Sequence, residues 1–392
     1  MQDKRVLFAH DGPLEVSPDG VPMGVHYTDA LLQRYLQLGS TLTFLMRAKP
    51  VSASEALSYS PLVRSGFSFQ SVINAKGPLK FALYARHARK TVCQAVSGHD
   101  VIVARLPSLI GSWAFLEAKR LDKPVLVEFV ACTWDALWNY GVLGKVTAPY
   151  FYLKNRLLLR YSSHTIYVTE QFLQTRYPSR GKSIQCSNVE LKSSGEDVFS
   201  RRLNRISSTN NERPIILTTV AAVDVPYKDQ ATVIRALALM GLDGDRYRYR
   251  IVGQGDPALL KKLARELGVF DLIEFVGPVM HSDISVVLDD TDIYIQPSRQ
   301  EGLPRALIEA MSRGCPALGS NTGGIPELLT VDRIFSKGDI RRLVELIKSY
   351  STDQMMQDAA ENWKTAQKYD KEVLASRRAI FFKEFLSDFE KS

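Results

Sequence analysis

Short apolar runs alternate with helical patterns along most of this chain. In the first half RVLFAH (5–10), DVIVAR (100–105), PVLVEFV (124–130) and HTIYVT (164–169) read as strands buried on both faces. Between the first two, Leu31, Leu32, Tyr35 and Leu36 recur at helical spacing, which predicts a helix over about 25–38, stopped by Gly39. Residues 50–74 show no period and are expected to form an irregular loop region. The second half repeats the alternation, with strands at 214–220, 248–253, 272–277, 292–298 and 315–320. Helices are expected at about 229–240 and 257–267, after Ser282, from Pro304, and over about 371–389. Such alternation predicts α/β folding with parallel sheets.

Between the halves the chain changes character. LKSSGEDVFSRRLNRISSTNNERP, from Leu191, is polar, charged and rich in Ser and Asn, and is expected to be a connection without regular structure. The expected organisation is an N-terminal domain over 1–190, a linker over 191–213 and a C-terminal domain over 214–370. A closing helix over 371–392 is expected to pack back on the N-terminal domain. Two doubly wound domains imply a cleft, and ligands of such sheets bind beyond the carboxyl ends of the strands.

Charge sharpens this picture. The 392 residues carry a net charge of +8, but unevenly: 22 Lys and Arg stand against 13 Asp and Glu through Glu190, and 28 against 29 after it. A basic N-terminal half suits nucleic acid, anionic lipid or a diphosphate ligand. The usual nucleic-acid-binding modules are not recognisable, so no nucleic-acid partner is expected. Two basic stretches interleaved with apolar and aromatic residues, GPLKFALYARHARK and GKVTAPYFYLKNRLLLRY, suit an anionic membrane surface instead. No apolar run approaches the ~20 residues that span a bilayer. The first residues lead straight into a strand, so no signal peptide is expected. Cys93, Cys132, Cys186 and Cys315 are scattered without ligand spacing, which points to a reducing compartment and away from a structural zinc site.

The chemistry concentrates at strand ends. VGQGD (252–256) puts Gly253 and Gly255 where backbone amides approach a phosphate, although tight turns need glycine in any case. EGLPRALIE (301–309) sets one glutamate before a helix and another about five residues into it, roughly 7.5 Å along the axis. Pro304 is expected in the first helical turn, with open amides around Leu303–Arg305 forming an anion site. That spacing suits one ligand held at three points. Glu301 would take a sugar, Gly302 to Arg305 a diphosphate, and Glu309 the ribose hydroxyls.

DIYIQPSRQEGLPRALIEAMSRGCPALGSNTGGIPELL resembles the donor-binding signature of retaining glycosyltransferase family 4, whose GT-B fold sets two Rossmann-like domains face to face across a cleft. Glu301 and Glu309 match its Glu-x7-Glu pair, and Gly323, Gly324 and Glu327 match its glycine turn. The resemblance covers about 215–329 and is closest to enzymes of bacterial capsule, O-antigen or exopolysaccharide synthesis. It implies that Lys228 binds the nucleotide diphosphate. The arginine usual nearby is replaced by Ala222, so either Lys228 and the helix amides suffice or another arginine, Arg305 or Arg299, substitutes. In the N-terminal half it implies a glycine-rich loop with Gly20 and Gly24. It also implies an acidic or histidine residue facing the sugar, for which Asp135 is the candidate, with Arg105, Trp134 and Trp138 on the acceptor side.

The expected activity is transfer of a sugar from a UDP- or GDP-linked donor to a lipid-linked saccharide, with retention of configuration. Glu301, Lys228 and Asp135 are its catalytic candidates. No cofactor or metal is expected, and the enzyme is placed at the inner face of the plasma membrane, peripherally bound. Two alternatives stay open: a nucleotide-sugar epimerase of the same architecture, and a non-catalytic partner in polysaccharide assembly. Base, sugar, acceptor, linkage, pathway and oligomeric state are not readable from the residues.

Overall fold

The computed structural model describes residues 3–24, 27–57, 59–75, 77–192, 194–208, 213–280 and 282–390. Two largely parallel sheets organise them. The first runs, in spatial order, through Phe67–Ser71, Thr41–Pro50, Arg5–Val16, Val101–Leu106, Val125–Phe129, His164–Tyr167 and Lys182–Gln185. Two short antiparallel strands, Pro22–Gly24 and Ser60–Pro61, extend it beyond the end of Arg5–Val16. The second sheet runs through Ile273–Gly277, Tyr247–Val252, Ile215–Val220, Ile293–Gln296, Ala317–Ser320 and Ile334–Phe335, all parallel. This order reverses between Ile215–Val220 and Ile293–Gln296, and the crevice at such a reversal is where doubly wound sheets bind ligands.

The first half holds more strand than the pattern predicts. Leu42, Phe44, Leu45 and Met46 of Thr41–Pro50 are fully buried, because the strand is covered on both faces and shows no alternation. The stretch expected to be irregular contains the strand Phe67–Ser71 and a one-turn helix, Ala53–Ala56, closed by a reciprocal Ser52–Glu55 capping box. The early helix is shorter than expected, Asp29–Tyr35, with Thr28 as its cap; Val25 and His26 lie outside the described residues.

The polar stretch from Leu191 also differs from expectation. Glu196–Ser207 is a helix whose buried positions are Val198, Arg202 and Ile206, four residues apart. An arginine stands where an apolar residue would have shown the period. Arg202 is 3% exposed and donates to the carbonyls of Leu288 (2.7 Å), Arg313 (3.0 Å) and Thr291. The guanidinium thus replaces a hydrophobic contact with three hydrogen bonds to the loops below it.

The chain crosses between the sheets twice, side by side. Leu191 bridges Asp370, and Lys371 donates to the Leu191 carbonyl at 2.9 Å. The last helix, Lys371–Glu390, then lies on the first sheet's edge. Phe381, Phe382 and Phe385 are buried there, Arg378 donates to the Ser187 carbonyl, and Lys182 pairs with Glu384 and Asp388. One apolar cluster fills the first sheet and continues into the second half through Leu307, Ile308, Met311, Ile325 and Leu328.

Replacing Arg202 with alanine strands three buried carbonyls and opens a cavity, a loss of about 3 kcal/mol. Urea unfolding should show a clearly lower midpoint for Arg202→Ala and an unchanged one for Arg201→Ala on the exposed side of the same helix.

Candidate active site

The reversal point of the second sheet sends two loops into one crevice. The loop after Ile215–Val220 ends in a turn, Pro226–Lys228, and reaches Asp229, which takes a left-handed conformation (φ 54°) before the helix Gln230–Met240. The Asp229 carboxylate, 5% exposed, accepts from Thr232 Oγ1 (2.7 Å) and Arg299 Nε (2.8 Å). The loop after Ile293–Gln296 carries Arg299 and Glu301, and its Arg299 amide donates to the Tyr227 carbonyl at 2.7 Å. The two loops are therefore tied at backbone and side chain.

That tie brings two of the sequence candidates together. Lys228 Nζ lies 2.6 Å from Glu301 Oε1, and Gln296 Nε2 donates to the same oxygen at 3.1 Å. Both members of the ion pair are mostly buried, so each orients the other. Gln296 was not a candidate; a polar residue at the end of an otherwise apolar strand is the signal that could have found it. Pro304 sits at the helix cap rather than in the first turn, with extended backbone (ψ 111°). The open amides consequently begin at Arg305. Glu309 follows four residues later, roughly 6 Å along the axis. Tyr294, beneath, titrates well above its ordinary value because it is buried, and the nearby charges of Glu309 and Glu301 push it the same way. Both glutamates thus face one strand end.

The glycines of VGQGD have a packing reason. A side chain on Gly253 would stand 2.0 Å from the Ala221 carbonyl, and one on Gly255 would stand 2.3 Å from an Asp224 oxygen. Their backbones, at φ 153° and 113°, support the loop that carries Lys228. Ala221–Ala222 is part of that contact. Of the two arginines expected to replace the missing one, Arg299 is held by Asp229. Arg305 is exposed and makes no side-chain hydrogen bond or ion pair among the described residues.

Where the second half meets the first, Gly302 lies against Val130, so close that a side chain would approach the Val130 carbonyl to 2.5 Å. Two cavities lie where the halves meet. One, of about 340 Å³, is lined by Glu301, Leu303, Arg305, Arg105, Tyr27 and Asn188. Arg105 sits 3.6 Å from the buried Glu128. Burial opposes its charge, and the Glu128 carboxylate beside it favours that charge. From the glycine-rich loop it is Tyr27, not Gly24 or Gly20, that reaches this cavity. Gly24 pairs with Ser60 in the antiparallel extension.

The other cavity, of about 680 Å³, is lined by Asp135, Phe172, Arg176, Asn321, Glu327 and Lys337. Asp135 is paired with Arg176 at 3.3 Å and lines this cavity, not the one that Glu301 lines. Trp134 and Trp138 stack on one another, with centroids 5.1 Å apart and planes at 13°. Trp138 is 44% exposed, and Asn139 next to it donates to the Arg299 carbonyl across the cleft.

Two facing Rossmann-like halves with a basic and carboxylate-bearing crevice define the GT-B class. Residues 200–369 match the family described as Glycosyl transferases group 1. Protein CapJ of Staphylococcus aureus is 26% identical over 98% of this chain and 97% of its own length. The amylovoran biosynthesis glycosyltransferase AmsK of Erwinia amylovora is 33% identical over 30% of each chain. The structure of Alr3699/HepE from Anabaena, determined in complex with UDP-glucose, superposes with a TM-score of 0.66 at 17% identity, covering 98% of this chain and 100% of that one. The chain is a glycosyltransferase of the GT-B fold that carries the group 1 domain, acting on a nucleotide-sugar donor and a saccharide acceptor.

Proposed function

We propose that this enzyme transfers a hexose from a UDP- or GDP-linked donor to a lipid-linked saccharide in the assembly of a bacterial surface polysaccharide, retaining the anomeric configuration. The Lys228–Glu301–Gln296 cluster beside the open amides in the first turn of helix Arg305–Ser312 carries this reading. The donor diphosphate lies at the helix start, where amides, Lys228 and the unpaired Arg305 neutralise charge as the sugar–phosphate bond breaks. Arg305 thereby does the work of the arginine absent at Ala222. Glu301, fixed through one oxygen, accepts a sugar hydroxyl with the other, and Glu309 takes the ribose. The acceptor hydroxyl enters from the Arg105 and Tyr27 side. Its oxygen bonds to the anomeric carbon on the face the phosphate leaves, and its proton passes to the departing phosphate oxygen. With Glu301 engaged by Lys228 and Gln296, no side chain needs to become covalently attached. Asp135, with Trp134 and Trp138, serves the acceptor's outer sugars rather than the reacting carbon. The likeness to polysaccharide-building relatives supports the pathway.

The surface supports the lipid-linked acceptor. Helix Gly141–Arg160 buries Gly144, Ala148, Asn155, Leu158 and Leu159. On the opposite face it exposes Leu143, Val146, Tyr150, Leu153 and Leu157, at intervals of three and four, with Lys145, Arg156 and Arg160 beside them. Helix Pro78–Ser97 likewise exposes Leu79, Phe81, Leu83 and Tyr84 near Lys80, Arg86, His87, Arg89 and Lys90. An apolar stripe on the first helix and exposed apolar side chains on the second, both among cations, suit a bilayer with anionic headgroups. Among the described residues no helix is long and apolar enough to cross a membrane.

Glu309→Ala is expected to weaken UDP or GDP binding about 30- to 150-fold, the loss of two charge-assisted hydrogen bonds. Glu301→Ala is expected to depress turnover while sparing affinity for the free nucleotide. Calorimetry with both nucleotides, beside a mass-spectrometric donor screen on extracted lipid-linked intermediates, tests the assignments; equal loss of binding in both variants would refute them.

Sedimentation with phosphatidylglycerol-containing vesicles at low salt should carry the protein down. Each cation near the surface contributes about 1 kcal/mol, so reversing Arg86, Arg89 and Lys90 to glutamate should release most of it while nucleotide affinity is kept. Wild-type protein that stays in the supernatant would point to a soluble acceptor.

A further inference from the structure

The glycine turn that follows Ala317–Ser320 ends in Glu327, and the Glu327 carboxylate points at protein. It accepts hydrogen bonds from three successive amides, Glu170 (2.6 Å), Gln171 (3.0 Å) and Phe172 (2.5 Å). These lie in the other half of the molecule, where the helix Phe172–Arg176 leaves the first sheet. Each is a charge-assisted bond across the cleft.

Both ends of this contact lead to the site. On one side the turn is fixed to the donor loop. The Gly324 amide donates to the Gly302 carbonyl at 2.7 Å, and Gly323 (φ 57°) lies so close that a side chain would stand 2.4 Å from the Glu301 carbonyl. Those glycines are required because the turn is pressed onto the residues that present Glu301. On the other side, Arg176 of the capped helix holds Asp135. A five-residue helix does not need a remote carboxylate to form, since Thr169 Oγ1 already accepts from its Leu173 amide.

We propose that Glu327 is a positioning residue: it clamps the two halves together with the Glu301 loop in register against the acceptor half. Both of its carboxylate oxygens are taken up by these amides. The clamp deepens the transfer reading above, because closing the halves is what brings Arg105 and Tyr27 to the cavity that Glu301 lines.

The test measures the distance between the halves directly. In a Cys93→Ser background the other three cysteines are buried, so spin labels at Lys119→Cys and Lys262→Cys, both exposed, report one distance. Wild type should give a single short distribution, and Glu327→Ala should add a longer one. Glu327→Gln, which keeps an acceptor oxygen, should fall between them and guards against a folding defect in the alanine variant. Turnover should drop about tenfold or more in Glu327→Ala, while UDP and GDP affinities stay within about twofold. A cap that only stabilised its helix would lower the unfolding midpoint without lengthening the distance. An unchanged distance distribution overturns the clamp, as does a loss of nucleotide affinity matching the loss of turnover. Wild-type inactivity with every donor tried would count against the donor and acceptor proposed above, and the distance measurement would still decide the clamp.

Discussion

The ion pair of Lys228 and Glu301 depends on two loops leaving adjacent parallel strands at the point where the strand order reverses. Neither side chain has a reason to lose its water alone. Desolvation of a lone charge is costly, and the attraction between partners offsets it only when the geometry is good. Here the geometry is enforced from outside the pair. Arg299 donates to the Tyr227 carbonyl through its backbone and to Asp229 through its side chain, so the loops cannot drift apart without breaking both. Gln296 fixes the carboxylate rotamer from below.

The second constraint is close contact between the halves. Gly302 against Val130, and Gly323 and Gly324 against Glu301 and Gly302, are approaches that a methyl group would block. Leu303, Ile325 and Leu328 join the apolar cluster of the first sheet across the same seam. An apolar seam with a few oriented polar contacts is the usual construction of an interdomain site. It leaves two cavities between the halves, a smaller one beside Gly302 and a larger one beside Gly323.

The two-sheet architecture was legible from alternating runs, and the carboxylate pair from one motif. What stayed hidden has physical causes. Thr41–Pro50 carries apolar residues on both faces from Phe44 to Met46, and Phe67–Ser71, although it alternates as FSFQS, is only five residues long and partly exposed. Glu196–Ser207 hides its period behind Arg202, whose burial depends on carbonyls far along the chain. In the site, Lys228 and Glu301 were readable as separate candidates, and their contact was not, because 73 residues separate them. Glu327 was readable only as part of a motif. That its partners are amides of the other half is a fact of tertiary packing. Asp135 was readable as acidic and near a strand end, but its pairing with Arg176 was not.

The paired crossings at Leu191 and Asp370 have a mechanical consequence. A single connecting segment would let the halves swing and twist in any direction. Two segments bonded side by side behave as a short two-stranded ribbon, which bends readily across its width and resists torsion. Paired crossings favour rotation of the halves about one axis over free wobble, and the axis lies close to the crevice wall, since Ser187 and Asn188 line the cavity just before Leu191. Rotation about a nearby axis changes the width of the crevice with little sliding of one wall past the other. Gly302 and Val130 consequently return to the same register each time, which a contact too tight for a methyl group requires.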